Sequence, residues 1–214
     1  TTEVPLTACG PVIKRYAPPQ LQDGVLRLDL RLMRAPRAAS LITGRIEGTQ
    51  LWWNQPPLQA RADLLIEGTV SIPPGAEAQP TVDLVLSLRH GAVSGVPSLG
   101  ELTDLEGSGR ITNNRLEVTH LTGAALQSRW RLEGTLEPLT HPSMELLVSA
   151  PVQLERVTSL LPMGDPPWQL SGPADVRVAC RGPLAPQPAI DCLAHAQVRN
   201  VAVIAPGVPE PVTL

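Results

Sequence analysis

Arg110-Ile111-Thr112-Asn113-Asn114-Arg115-Leu116-Glu117-Val118 is the stretch whose reading decides the fold. Apolar and polar residues alternate on each side of an Asn-Asn pair, and asparagine tolerates the positive φ angles that a type I′ hairpin turn requires. With Asn113 and Asn114 in the turn, Ile111 faces Leu116 and Gly109 faces Val118 on one side, while Arg110 opposes Glu117 on the other. One register satisfies both faces. The stretch therefore predicts an antiparallel strand pair with a single apolar face.

The same period of two runs along most of the chain. Leu26, Leu28, Leu30 and Leu32 alternate with Arg27, Asp29 and Arg31, and Ile42, Gly44, Ile46 and Gly48 alternate with Thr43, Arg45 and Glu47. It recurs at Ala60, Ala62, Leu64, Ile66, Gly68, Val70 and Ile72, at Val82, Leu84, Leu86 and Leu88, and at Trp130, Leu132, Gly134 and Leu136. Leu146 and Val148, then Ala174, Val176, Val178 and Cys180, complete the series; Leu65, Val85 and Leu147 interrupt the polar face. Pro/Gly-rich breakers separate the runs, at 34–37, 55–57, 73–80, 95–100, 137–142, 162–167 and 182–188. Strands at this spacing make an antiparallel meander. We expect an irregular segment over 1–20, one group of strands over 21–90, a connecting loop over 91–104 and a second group over 105–214. A single short helix is expected near 152–161, where Leu154, Val157 and Leu161 share a helical face and Pro162 ends it.

Composition narrows the class. Of the 214 residues 43% are hydrophobic but only 2% aromatic, with no Phe, so the apolar surface is almost wholly aliphatic. The 17 Gly and 24 Pro punctuate the chain too often for long helices and exclude a helical bundle. A formal charge of −3 gives no electrostatic footprint for nucleic acid. No run of about 18 apolar residues occurs, so no transmembrane helix is predicted. The chain opens on Thr1 without Met and stops on an apolar alternation at Leu214, and it is read as a piece of a longer protein.

An apolar sheet face left in water costs about 25 cal/mol per Å², so something must cover it. A second sheet would give a closed sandwich, helices would give an α+β fold, and a non-protein ligand would make the face a groove. The Gly/Pro spacing removes the helices. Sandwich cores usually recruit aromatic residues for their large buried area, and here those are nearly absent, whereas aliphatic side chains interspersed with Gly and Ala leave a channel that acyl chains could fill. Both the sandwich and the groove remain open on composition. The groove lining would be Leu26, Leu28, Leu30, Leu32, Ile42, Ile46, Leu64, Ile66, Val82, Leu84, Leu86, Leu88, Ile111, Leu116, Val118, Leu132, Leu136, Leu146, Val148, Val176 and Val178.

The stretch from Leu105-Glu106-Gly107-Ser108-Gly109 through the Asn-Asn hairpin, Leu121-Thr122-Gly123 and Trp130-Arg131-Leu132-Glu133-Gly134-Thr135-Leu136 resembles the AsmA-like family, the TamB and YhdP type of bridge-like lipid-transfer protein. In that family a strand pair with a G-x-G entry is followed by l-x-G and l-x-G-x-l. The strand from Met144 to Ala150, the segment Leu154 to Leu161, Leu170-Ser171-Gly172-Pro173-Ala174, and Val198-Arg199-Asn200-Val201 followed by Pro206-Gly207 are also similar to it. The resemblance implies an all-β, elongated, curved antiparallel sheet of taco shape with an apolar groove. It further implies a place in the periplasm of a Gram-negative cell, tethered to the inner membrane through a segment absent here, and a role in carrying phospholipids between inner and outer membranes. The partners implied are phospholipid acyl chains, adjoining segments of the same protein and membrane proteins at the bridge ends. No cofactor is expected. The rival reading is a structural or protein-binding β-repeat segment with a closed core.

No catalytic constellation emerges, and an enzyme is not expected. His90, His120, His141 and His195 lack metal-ligand spacing, Gly91-Ala92-Val93-Ser94-Gly95 places its Ser off the nucleophile-elbow position, and Gly107-Ser108-Gly109 is too short to cradle phosphate. Cys180 and Cys192 share the apolar phase across the 182–188 loop. Pairing Val178 with Ala194 and Val176 with Ala196 sets the two sulfurs opposite each other, as a cross-strand disulfide or as two packed thiols; Cys9 has no evident partner. Of Trp52 and Trp53 one must point inward and the other outward. Arg27, Arg31, Arg45, Arg129 and Arg131 fall on the polar face at strand spacing, suited to cross-strand pairing.

Overall fold

The computed structural model describes residues 2–5, 21–34, 39–74, 79–97, 99–155, 169–184, 189–199, 202–204 and 212–213. The alternating runs form strands β1 (Thr2–Pro5), β2 (Leu21–Met33), β3 (Ser40–Gln55), β4 (Leu58–Ile72), β5 (Thr81–Val96), β6 (Gly100–Thr112), β7 (Arg115–Ala125), β8 (Ser128–Glu137), β9 (Ser143–Gln153), β10 (Gln169–Ser171), β11 (Pro173–Pro183), β12 (Asp191–Val198), β13 (Ala202–Ile204) and β14 (Val212–Thr213). Eleven of them make one antiparallel sheet in the order β1-β2-β3-β4-β5-β6-β7-β8-β9-β11-β12, which is open and does not close into a barrel. The all-β, antiparallel expectation holds. A three-stranded sheet, β10-β13-β14, continues the β11–β12 ladder: Ala174 pairs with Val198 in the large sheet, and Ser171 pairs with Ala202 in the small one.

Three expected boundaries are corrected. Thr2–Pro5 is a strand paired with Val25–Leu28, inside the segment read as irregular. Residues 91–104 are not a loop, because β5 runs to Val96 and β6 starts at Gly100, so the two groups of strands are one meander. Of the expected helix, Val152 and Gln153 belong to β9, Leu154 and Glu155 are the only helical residues among those described, and 156–161 lie outside them. Cys9 also lies outside the described residues.

The predicted hairpin register is present residue for residue: Gly109 with Val118, Arg110 with Glu117, Ile111 with Leu116. Its turn differs from the type I′ expectation, since only Asn113 has positive φ (51°). The two asparagines are held by their neighbours instead. Val82 N–H donates to Asn113 Oδ1 at 3.1 Å and Leu139 N–H to Asn114 Oδ1 at 2.8 Å, so the turn is tied to the strand ends on both sides. Positive φ at both central residues occurs at Leu126 (51°) and Gln127 (62°), a hairpin that no Gly, Pro or Asn signals. Arg110 also turns away from Glu117; its guanidinium makes two bonds to Asp83, 2.7 and 2.6 Å, which hold that carboxyl below its usual range.

A line of β-bulges crosses the sheet. Thr49 and Gln50 of β3 oppose Asp63 alone, Arg89 and His90 of β5 oppose Glu106, Thr103 and Asp104 of β6 oppose Ala92, and Thr119 and His120 of β7 oppose Glu133. The second residue takes positive φ at Gln50, His90 and Asp104, and each extra residue bends its strand and adds twist. Because a bulge steps the phase by three residues, the apolar face survives it: Gly48 is followed on that face by Leu51, Leu88 by Gly91, and Val118 by Leu121.

Asp63 fastens this line. Its Oδ1 accepts the Gln50 N–H at 2.7 Å and its Oδ2 bonds His90 Nδ1 at 2.8 Å, joining the bulges on either side of β4. The Gln50 amide, and after it His90, hold the Asp63 carboxyl below its usual value of 3.8. A folded-state value lowered in this way stabilises the fold above about 3.8, and that stability is lost as pH falls through the folded value. Asp63→Asn should therefore lower the melting temperature by several degrees at neutral pH, with the gap to wild type closing in acid; a gap that is constant across an acid titration would contradict the role.

Candidate functional site

The pairing places every groove candidate on one face and lines them up in rows that run across the strands. One row reads Leu28, Ile46, Ile66, Leu86, Gly109, Val118, Gly134, Leu146, Cys180 and Cys192. A second reads Leu26, Gly48, Leu64, Leu88, Gly107, Leu121, Leu132, Val148, Val178 and Ala194. Leu30, Gly44, Gly68, Leu84, Ile111, Leu116, Leu136 and Met144 form a third; Leu32, Ile42, Val70 and Val82 form a shorter fourth, and Val176 lies between Ala150 and Ala196. At about 4.8 Å per strand the rows from β2 to β12 extend roughly 45 Å.

Glycines are interspersed among the large residues of these rows, and that sets the surface relief. At Gly123 a side chain would collide with Leu105 Cδ2 at 2.5 Å and with the indole of Trp130 at 2.7 Å; both groups occupy the space that a side chain would take. Leu105 is accordingly among the few buried apolar residues, 6% exposed. Among the described residues the face is otherwise covered only by its own side chains. Leu28, Ile46, Ile66 and Leu86 are half-buried, Leu30 and Leu32 are exposed, and no described side chain is fully enclosed. No second layer stands over the rows among the described residues, since every long strand belongs to the one sheet.

Trp53 pairs with Ala60 on the apolar face and Trp52 with Arg61 on the polar one, as two adjacent strand residues must. The polar face carries cross-strand ion pairs between Arg27 and Glu47 (3.5 Å), Arg45 and Glu67 (3.2 Å), and Arg115 and Glu137 (3.3 Å), while Arg131 pairs along its own strand with Glu133 (3.4 Å). Exposed pairs of this kind contribute little each. They mark the wet side. An open hollow of about 930 Å³ lies there, lined in part by Thr122, Arg131, Ser149, Arg177 and His195. Sequence reading missed the Asp63–His90 contact and the bond between Ser108 Oγ and His120 Nδ1 (3.0 Å), because each joins residues on different strands.

Cys180 and Cys192 are bonded, at the register that pairs Val178 with Ala194 and Val176 with Ala196. The bridge closes a short loop and pins β12, the edge strand, to β11. By the loop-entropy relation such a closure stabilises by about 3 kcal/mol. Replacing both cysteines by Ala should lower the denaturation midpoint accordingly and remove amide-exchange protection first from β12; unchanged protection there would contradict the pinning role.

Compared with known proteins, the chain matches no protein family, no curated protein and no solved structure.

Proposed function

We propose that this chain is a segment of an AsmA-like, periplasmic, bridge-like protein, and that its aliphatic face carries phospholipid acyl chains between membranes. The observation that supports this reading best is the sharing of one face by the aliphatic side chains of ten successive strands, with no described layer upon it. The motifs of residues 105–136 that resemble the family support it independently.

Chemically the face suits passive transport. An acyl chain spans about half of the 30 Å hydrocarbon core of a bilayer, so a track of roughly 45 Å accepts about three of them end to end. Each methylene removed from water contributes about 0.8 kcal/mol, whichever row it touches. Held by many equivalent contacts, a lipid gains little by stopping at any one of them. Its polar head group stays in water at the rim, and no bond is made or broken.

The test is extraction of the purified chain followed by mass spectrometry. Stoichiometric phospholipid is the expected result. A chain that is folded, free of lipid and unable to take up fluorescent phospholipid from vesicles would refute the proposal.

A further inference from the structure

We infer that the polar face of β2–β5, around Trp52, is a binding site for the uncharged sugar rings of a glycan. It lies opposite the aliphatic rows, on strands inside the sheet, and does not rest on the lipid reading.

The β3 bulge creates the site. Even-numbered residues from Ile42 to Gly48 lie on the apolar face, and the extra residue at Thr49 and Gln50 reverses the phase. Leu51 and Trp53 therefore stay with the apolar face, and Trp52 is turned to the wet one. In a chain with 2% aromatic residues, Trp52 is the only aromatic side chain on that face among the described residues. Asp23 and Arg61 lie directly across from it on β2 and β4. Together with Gln50, Asp63 and His90 these residues wall an open hollow of about 540 Å³, a size suited to a small ligand.

The groups around the hollow select the ligand. Trp52 is half-buried, and no hydrogen bond engages its indole among the described residues. Asp63 is spent on the Gln50 N–H and on His90 Nδ1, which leaves Nε2 of an exposed His90 ring for a ligand. Arg61 has no ion pair among the described residues. Asp23 keeps Oδ2 after its Oδ1 accepts the Gly24 N–H at 2.8 Å. One free charge of each sign thus flanks the indole. A ligand anion would face Asp23, and a ligand cation would face Arg61. A hydroxyl, donor and acceptor at once, satisfies both of them and Gln50 and His90 as well. The C–H face of a sugar ring, with its slightly positive hydrogens, matches the negative π face of the indole.

The neighbouring row continues the same chemistry. About 7 Å further along β3, Asn54 pairs with Gln59 and Gln59 with Ser94, while Asn54 Nδ2 donates to Gln22 Oε1 at 3.4 Å. These amides and one hydroxyl carry no charge, whereas beyond the bulge the same strands carry the Arg27–Glu47 and Arg45–Glu67 ion pairs. A second ring of one glycan would lie on the amide row.

Chitotetraose and maltotetraose, both uncharged, test the inference by saturation-transfer NMR on the whole chain. At least one should bind with a Kd of about 1 mM. Trp52→Ala should weaken that binding by at least about tenfold, with circular dichroism unchanged, and Arg45→Ala, on the same face beyond the bulge, should leave it as it is. Should Trp52→Ala fail to fold, Arg61→Ala replaces it, since it removes an exposed side chain, and should weaken binding about fivefold. Failure of both sugars to bind, binding that survives the variant, or tighter binding of a glucuronate oligomer or of choline than of either sugar would each overturn the inference.

Discussion

Replacing Leu86 or Leu132 by Asp should strip the purified chain of phospholipid. Leu86 sits between Ile66 and Gly109, and Leu132 between Leu121 and Val148, each in the middle of a row. A carboxylate there would have to lose its water beneath an acyl chain, at a cost of several kcal/mol that one lipid's remaining contacts cannot offset locally. Both leucines are only half-buried in the chain itself, so the fold should tolerate the change better than a closed core would. We expect lipid per chain to fall by at least about tenfold in either variant, with strand content unchanged by circular dichroism. Val85→Asp, on the opposite face, is the control and should retain wild-type lipid. Full retention in both leucine variants would count against acyl-chain binding on this face.

A large effect on stability is expected at Gly68 and Gly134. Their φ angles, 156° and 152°, lie in a region that residues with a side chain rarely adopt, and a Cβ at either site would land on a backbone carbonyl, that of Asp83 or of Glu145. Those carbonyls belong to the neighbouring strands β5 and β9, which cannot withdraw without breaking the ladder. Gly68→Ala and Gly134→Ala should each cost about 3 kcal/mol, which thermal unfolding would register as a drop of roughly 10 °C. Gly100→Ala makes the comparison clean: its φ is also positive, at 73°, but nothing lies within 4 Å of the added atom, so it should cost clearly less.

What could be read from residues alone was the part governed by nearest neighbours along the chain. Alternation gave the strands, and the Asn113-Asn114 hairpin and the Cys180–Cys192 pairing followed because matching both faces leaves one register. The bulges were not recognised, although their signature is present in the sequence. Apolar residues shift from even to odd numbers between Gly48 and Leu51 and between Leu88 and Gly91, and from odd to even going back from Leu105 to Leu102. A strand that changes phase while keeping its face must carry an extra residue. The Pro/Gly-rich stretch 95–100 reads as a break, which is the source of the expected loop at 91–104. The Leu126-Gln127 turn carries no turn-forming residue. The Asp63–His90 contact and the turning of Arg110 from Glu117 to Asp83 depend on neighbours across strands, which periodicity does not rank.

Residues 85 and 86 test the central claim most directly, because they are adjacent in sequence and lie on opposite faces of the sheet. A photo-reactive amino acid placed at Leu86 should, on irradiation of the lipid-loaded chain, give a covalent adduct with phospholipid; the same group at Val85 should give none. Equal labelling at both positions, or capture at 86 of another part of the polypeptide in place of lipid, would contradict it.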